Sequence, residues 1–145
     1  MGMTAKEFLR RARDVDRRVD EAMERVKRLR ARIEAGRMSS ITGMPRGGVQ
    51  DWTQTVDRLI ELEQRVNADT RELVWWKLLA IDAIRAVREQ EPRLAEVLEL
   101  YYIDGLRWED VAKRMGLKDV RWVYELHGRA LRRVKVPEGV EKHGE

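Results

Sequence analysis

Apolar residues recur along the first quarter of the chain at alternating spacings of four and three positions. Charged residues occupy most of the positions between them. This heptad pattern is typical of a helix that packs along one seam, and it predicts a long helix over residues 4–35. Because so polar a helix is poorly stable alone, the seam requires a partner helix. The seam consists of Phe8, Ala12, Val15, Val19, Ala22, Val26, Leu29 and Ile33.

A segment rich in glycine separates this helix from a second one. Residues 36–50 contain four glycines and Pro45, which predicts a loop. Apolar periodicity resumes over about 51–89, with Asp51 as the predicted N-cap. The simplest arrangement is an antiparallel hairpin, although both helices could instead pair with a second chain. The seam of the second helix is Val56, Leu59, Leu62, Val66, Leu73, Trp76, Ala80, Ala83 and Val87.

The end of the second helix is apolar on more than one face. Trp75, Leu78, Leu79 and Ile81 lie beyond the seam, whereas Lys77, Asp82 and Arg85 interrupt the apolar run. The run is also shorter than the roughly 20 residues that cross a bilayer, so we expect no membrane segment. The tandem tryptophans fit core packing better than a ligand site, because they follow helical spacing. We expect this face to pack on the C-terminal region or on a second subunit, which favours a homodimer.

Three short helices are predicted after residue 90, near 93–103, 107–115 and 119–135. Pro92 suits the first turn of the first of these helices, where a missing N–H costs nothing. Gly105 and Gly116 can adopt the left-handed conformation that ends a helix, and Asp119 is a good N-cap for the last helix. The fold class is therefore all-α: a two-helix coiled-coil hairpin over 1–90, a three-helix domain over 91–136, and a flexible tail over 137–145.

Composition excludes several classes of chemistry. The 145 residues include no cysteine, so disulfides, thiolate nucleophiles and cysteine-bound zinc are excluded. His127 and His143 lack the spacing of metal ligands, and we expect neither a metal nor a cofactor. No Ser–His–Asp set, carboxylate pair or phosphate-binding loop stands out, which argues against an enzyme. The N-terminus has no apolar stretch of signal-peptide length, so we expect a cytoplasmic protein.

The positive charge is concentrated near the C-terminus. Residues 111–136 hold eight Lys or Arg residues against two acidic ones, a net charge of +6, whereas residues 91–110 hold two against six, a net charge of −4. Such a basic patch attracts polyanions. On charge alone, an ordinary solvated helix face explains this segment as well as a polyanion-binding surface does.

The outward face of the last helix carries the candidate DNA-binding residues. Its inner stripe is Val120, Val123, Ala130, Leu131 and Val134. A helix in the major groove needs hydrogen-bonding side chains at its N-terminal end and cations further along for phosphates. Arg121 can pair with guanine, and Glu125 can accept from cytosine. The full predicted set is Lys118, Arg121, Trp122, Glu125, Arg129, Arg132, Arg133 and Lys135.

The segment from Leu94 to Val134 resembles region 4 of sigma-70 factors. That region runs roughly LRYIEGLSYEEIAELLGIS…V…RAL..L, and this chain reads LELYYIDGLRWEDVAKRMGLKDVRWVYELHGRALRRV. With its charged N-terminal coiled coil, the whole chain is similar to the small phage- and prophage-encoded, sigma-like regulators of late transcription (the ArpU-type group). The resemblance implies a helix-turn-helix with residues 119–135 as recognition helix, a bacterial host cytoplasm, and RNA polymerase as a possible partner.

Two departures from the region 4 pattern affect this interpretation. Arg107 stands where the pattern has a capping serine, and the turn from Gly116 to Asp119 is about one residue longer than usual. Nothing resembles the sigma region that melts DNA, so the chain is not a complete sigma factor. We therefore expect a sequence-specific regulator that binds duplex DNA. The alternatives are a DNA-binding packaging or scaffolding protein, similar to a terminase small subunit, and a coiled-coil adaptor that binds only protein.

Overall fold

All regular structure in the described part of the chain is helical. The computed structural model describes the backbone of residues 2–41 and 49–142, and within these ranges no strand occurs, which confirms the all-α class. Helix α1 spans Ala5–Ile41 and α2 spans Val49–Gln90. Helix α3 (Pro92–Leu98) continues as a π-helical turn over Glu99–Ile103. Helices α4 (Trp108–Arg114) and α5 (Val120–Arg133) follow, and a 3₁₀ turn spans Val140–Lys142.

The ends of the two long helices differ from those predicted. Helix α1 begins after Thr4, whose hydroxyl accepts a bond from the Glu7 N–H at 3.1 Å, while the Thr4 N–H donates to the Glu7 carboxylate at 3.3 Å. This reciprocal pair is a capping box. Helix α1 then continues through Gly36, because one glycine in a helix costs only about 1 kcal/mol. Helix α2 begins before Asp51, which is therefore not its N-cap. Residues 36–41 and 49–50 of the predicted loop are therefore helical, and residues 42–48 lie outside the described residues.

The chain forms two compact units whose division differs from the predicted boundary at residue 90. One unit comprises residues 16–72, which contain α1 from Asp16 to its end and α2 from its beginning to Glu72. The other combines the beginning of α1, up to Val15, with everything from Leu73 onward. The end of α2 thus belongs with the short helices rather than with a separate hairpin domain.

Within the unit 16–72, the two helices run antiparallel. Arg18 pairs with Glu72 at 3.5 Å and Arg30 pairs with Glu63 at 2.5 Å, so positions that advance along α1 meet positions that recede along α2. This direction is compatible with the predicted hairpin. Three residues of the predicted seam, Val19, Ala22 and Leu29, are buried, and two, Val26 and Ile33, are half-buried.

In the other unit, the first turns of α1 pack against the end of α2. The Phe8 and Trp76 ring centroids lie 6.1 Å apart, and both side chains are buried. Leu9 and Ile84, which lie outside the predicted seams, are buried as well. The surplus apolar face of α2 is only partly covered within the chain, since Trp75 and Leu79 are half-buried and Leu78 is 57% exposed.

Five buried side chains hold α3, α4 and α5 together: Val97, Leu100, Val111, Ala112 and Val123. The connections between these helices depend on two glycines. Gly105 (φ +76°) follows the π-helical turn, where the Leu106 N–H donates to the Leu100 carbonyl at 3.1 Å. Gly116 (φ +70°) ends α4 in the same way, with the Leu117 N–H donating to the Ala112 carbonyl at 2.8 Å. These bonds satisfy the last carbonyl groups of each helix.

The C-terminal segment differs from the flexible tail expected over 137–145. Residues 140–142 form a 3₁₀ turn in which the Lys142 N–H donates to the Gly139 carbonyl at 3.2 Å, and Val140 is only 2% exposed. A single apolar residue in a polar segment has no periodicity, so the sequence pattern gave no signal for this burial. Residues 143–145 lie outside the described residues.

We expect Val140→Ala to lower the free energy of unfolding by about 1.5–2.5 kcal/mol, because it removes two buried methyl groups and leaves a small cavity. Denaturant titration checks this value. Glu141→Ala is the matched control, since Glu141 is exposed and should change stability by less than about 0.5 kcal/mol. Equal stabilities for the two variants would show that residues 137–142 do not pack on the unit.

Candidate nucleic-acid interface

Helix α5 is fixed at its start by a side-chain cap and along its length by its buried face. The Asp119 carboxylate accepts a bond from the Arg121 N–H at 2.9 Å, which confirms Asp119 as the predicted N-cap. Val123 and Ala130 are fully buried. With the cap and the buried stripe both set, the opposite face of α5 is determined.

The exposed face of α5 contains most of the predicted DNA-binding residues. Arg121, Glu125 and Arg132 follow spacings of four and seven along α5, and all three are exposed. Trp122 lies beside them and is 58% exposed. Lys118 is exposed in the turn before α5, and Lys135 is exposed beyond its end, because α5 stops at Arg133 rather than at 135.

Tyr124 belongs to this exposed surface and was not predicted. Its side chain is 47% exposed, and its ring lies edge-on to Trp108, with centroids 5.7 Å apart. The sequence did place it outside the inner stripe. The pattern of charged positions along α5 does not single out Tyr124.

The Asp119 carboxylate also binds the side chain of Arg121. One oxygen, Oδ1, accepts the backbone N–H, and the other, Oδ2, accepts from Nε at 2.9 Å and forms an ion pair with a terminal guanidinium nitrogen at 2.7 Å. These bonds from the Arg121 side chain, and then from its N–H, lower the pKa of Asp119, while the carboxylate raises the pKa of Arg121. The Arg121 side chain is still 85% exposed.

Two of the cations predicted to contact phosphates, Arg129 and Arg133, form ion pairs within the chain. Arg133 binds Glu91 at 2.9 Å and the Gln90 amide oxygen at 3.1 Å, and Arg129 approaches Glu91 at 3.9 Å. Both therefore tie α5 to the junction between α2 and α3. Their side chains remain about half exposed, at 50% for Arg129 and 48% for Arg133.

A cluster of aromatic rings joins the π-helical turn to α4 and α5. Tyr101 stacks on Trp108 with centroids 3.6 Å apart, and Trp108 lies 4.6 Å from the His127 ring. Arg13 of α1 covers the other face of Tyr101 at 4.0 Å and donates to the Tyr101 carbonyl at 2.5 Å. The Ile103 carbonyl accepts from Lys77 of α2 at 2.8 Å. Both long helices thus satisfy carbonyl groups around the π-helical turn.

His127 is held neutral within this cluster. Its Nε2 lies 2.7 Å from the Tyr102 hydroxyl. Burial, followed by the positive charge of Lys6, lowers the pKa of His127 to about 4. Burial also raises the pKa of Tyr102 to about 12, so the hydroxyl that is hydrogen-bonded to Nε2 keeps its proton. His127 therefore packs within the aromatic cluster as a neutral ring.

The rest of the described chain offers weaker candidates. A groove of about 460 Å³ lies between the helices of the unit 16–72, but it is open to solvent, and two of the charged residues that line it, Arg30 and Glu63, bind each other. Among the described residues, no three His, Asp or Glu side chains are grouped as metal ligands would be. Nor is any helix in those residues both long enough and apolar enough to cross a membrane.

Comparison of the chain with protein-family models, with curated proteins and with solved structures gives no match in any of the three. The similarity to region 4 of sigma-70 factors therefore depends on the motif residues themselves, and it stays a prediction.

We expect stability to fall as the pH is lowered from about 6.5 to 4. In this interval the unfolded chain binds a proton at His127 that the folded chain excludes, because the folded pKa is the lower one. The loss should be on the order of 1–2 kcal/mol, since the partly exposed ring is screened by solvent.

The measurement is the difference in unfolding free energy between the wild-type protein and His127→Gln at several pH values. Glutamine can still accept a bond from Tyr102 but does not titrate. A difference that stays constant across this interval would contradict a depressed pKa for His127.

Proposed function

We propose that this chain is a DNA-binding transcription regulator of phage or prophage origin that reads a duplex site through the exposed face of α5. It acts by binding rather than by catalysis. The observation that carries the proposal is the arrangement of α4 and α5: a left-handed glycine turn, a side-chain cap, and a buried stripe that leaves Arg121, Trp122 and Glu125 outward at the beginning of the helix. A helix in the major groove presents this end to base edges.

The positions of the charges support the same assignment. Arg121 and Glu125 are one helical turn apart, so both can reach adjacent base pairs. Arg132, two further turns along, and Lys118, in the turn before α5, lie where the phosphate backbone would pass. Arg129 and Arg133 have partly exposed side chains and can add to the positive field while they bind Glu91.

The exposed stripe on α2 supports a protein partner in addition to DNA. Val74, Leu78 and Ile81 follow helical spacing and are 50%, 57% and 37% exposed. RNA polymerase and a second copy of the chain are the partners expected from the sequence. The homodimer stays a prediction that sedimentation equilibrium at tens of micromolar can test. A packaging or scaffolding role would instead give a large ring, and a protein-only adaptor would show no salt-dependent affinity for DNA.

We expect Arg121→Ala to reduce the preference for a selected duplex over random DNA by roughly 5- to 100-fold, because it removes a bidentate contact to a base. The selected duplex is one that the wild-type protein enriches from a randomised pool. Arg132→Ala is the matched control, since loss of a phosphate contact weakens binding to both duplexes alike and lowers the salt slope by about one unit.

Both variants are measured by fluorescence anisotropy at one fixed salt concentration. An unchanged preference in a folded Arg121→Ala protein would show that another face reads the bases. Absence of wild-type affinity for any duplex at low salt would contradict the proposed function itself.

Gly128 gives a second test in which stability and binding change in opposite directions. It lies in the interior of α5, between Glu125 and Arg132 on the same face, and an added Cβ would meet no atom within 4 Å. Gly128→Ala should therefore stabilise the fold by about 0.5–1 kcal/mol. If DNA lies against this face, the new methyl group stands between helix and duplex, so affinity should fall.

Thermal unfolding and duplex titration measure the two effects on the same variant. Gly128→Ser, which adds one more heavy atom, should weaken binding further while it stabilises the helix less. Higher stability with unchanged affinity would show that the duplex does not approach α5 at Gly128.

A further inference from the structure

The two oxygens of the Asp119 carboxylate make different contacts with Arg121. Oδ1 caps the helix by accepting the Arg121 N–H, and this bond fixes the carboxylate relative to the α5 axis. Oδ2 then binds Nε and one terminal nitrogen of the same residue's guanidinium. Because the acceptor is itself held by the helix, the orientation of the guanidinium is set by the backbone of α5.

The edge of Arg121 that remains available has the geometry that guanine requires. A guanidinium has five N–H groups, and Asp119 engages only those on the Nε side. The two terminal nitrogens still present N–H groups on the outer end, and the side chain is 85% exposed. A pair of parallel donors is what the O6 and N7 acceptors of guanine bind in the major groove.

We propose that Asp119 is a positioning residue that preorganises Arg121 to read one guanine in the DNA site. This inference rests on the proposed function and adds to it the base that is read and the residue that sets the geometry. A free arginine loses rotamer entropy when it binds a base, and an arginine already held in place loses less. Asp119 therefore strengthens the specific contact although its own charge repels phosphates.

Asp119→Asn separates positioning from capping. Asparagine is as good an N-cap as aspartate, so its oxygen can still accept the Arg121 N–H. Its NH₂ group cannot accept from the guanidinium, so Arg121 is released while the helix start is kept. We expect unchanged thermal stability, random-duplex affinity that is equal or slightly higher, and a preference for the selected duplex that is lower by roughly 2- to 10-fold.

A modified base identifies the contact itself. Each guanine of the selected duplex is replaced in turn by 7-deazaguanine, which lacks the N7 acceptor. At one position the substitution should weaken binding of the wild-type protein, weaken that of Asp119→Asn less, and leave that of Arg121→Ala unchanged. The double variant Asp119→Asn/Arg121→Ala should show no loss of preference beyond that of Arg121→Ala, because the two residues act through one contact.

Two results would overturn the positioning role while leaving the proposed function intact. One is an unchanged or higher preference in Asp119→Asn when Arg121→Ala lowers it, which would make the pair neutral or inhibitory. The other is the absence of any guanine whose N7 matters to the wild-type protein but not to Arg121→Ala. Failure of the wild-type protein to bind any duplex would overturn both proposals together.

Discussion

The rotation of α5 about its own axis is the constraint on which the candidate interface depends. Val123 is buried in one cluster with Val97, Val111 and Ala112, and Ala130 is buried about two turns further along. Once these residues are inside, the opposite positions of the helix must face solvent. The exposure of Arg121, Trp122 and Glu125 is thus a consequence of core packing, and a polar residue at Val123 would disturb the interface without touching it.

The two long helices stabilise the turn between the short helices α3 and α4. Arg13 and Lys77 donate to carbonyl groups of Tyr101 and Ile103, where the π-helical turn leaves acceptors without helical partners. Buried or half-buried carbonyls are costly when they are not hydrogen-bonded, so these cations stabilise an otherwise irregular turn. The same turn positions Tyr101 to stack on Trp108 at the beginning of α4. The start of α4 therefore depends in part on Arg13, which lies 88 positions before Tyr101 in the chain.

The arginines at the start and at the end of α5 have different contacts, although the sequence pattern alone does not distinguish them. Arg129 and Arg133 bind Glu91 and fix the helix to the junction between α2 and α3. Arg121 is held by Asp119 within its own turn, and its outer edge remains in solvent. Surface ion pairs contribute little to stability individually, so their main effect here is geometric: they set where each guanidinium points. This division separates cations that orient the helix from cations that are available to a partner.

The sequence by itself determined the elements that local chemistry controls. Heptad spacing gave the two long helices, Gly105 and Gly116 gave the left-handed turns, Pro92 gave the start of α3, and Asp119 gave the cap of α5. Each of these depends on a few neighbouring residues, whose conformational preferences act within one or two turns.

Only the tertiary structure decided which side chains meet across long separations. It brought the first turns of α1 and the end of α2 into one unit with the short helices, buried Val140 in a segment without periodicity, and paired Arg129 and Arg133 with Glu91. These outcomes depend on burial and pairing between residues that are far apart in the sequence. The apolar pattern of one segment does not show which distant surface will cover that segment.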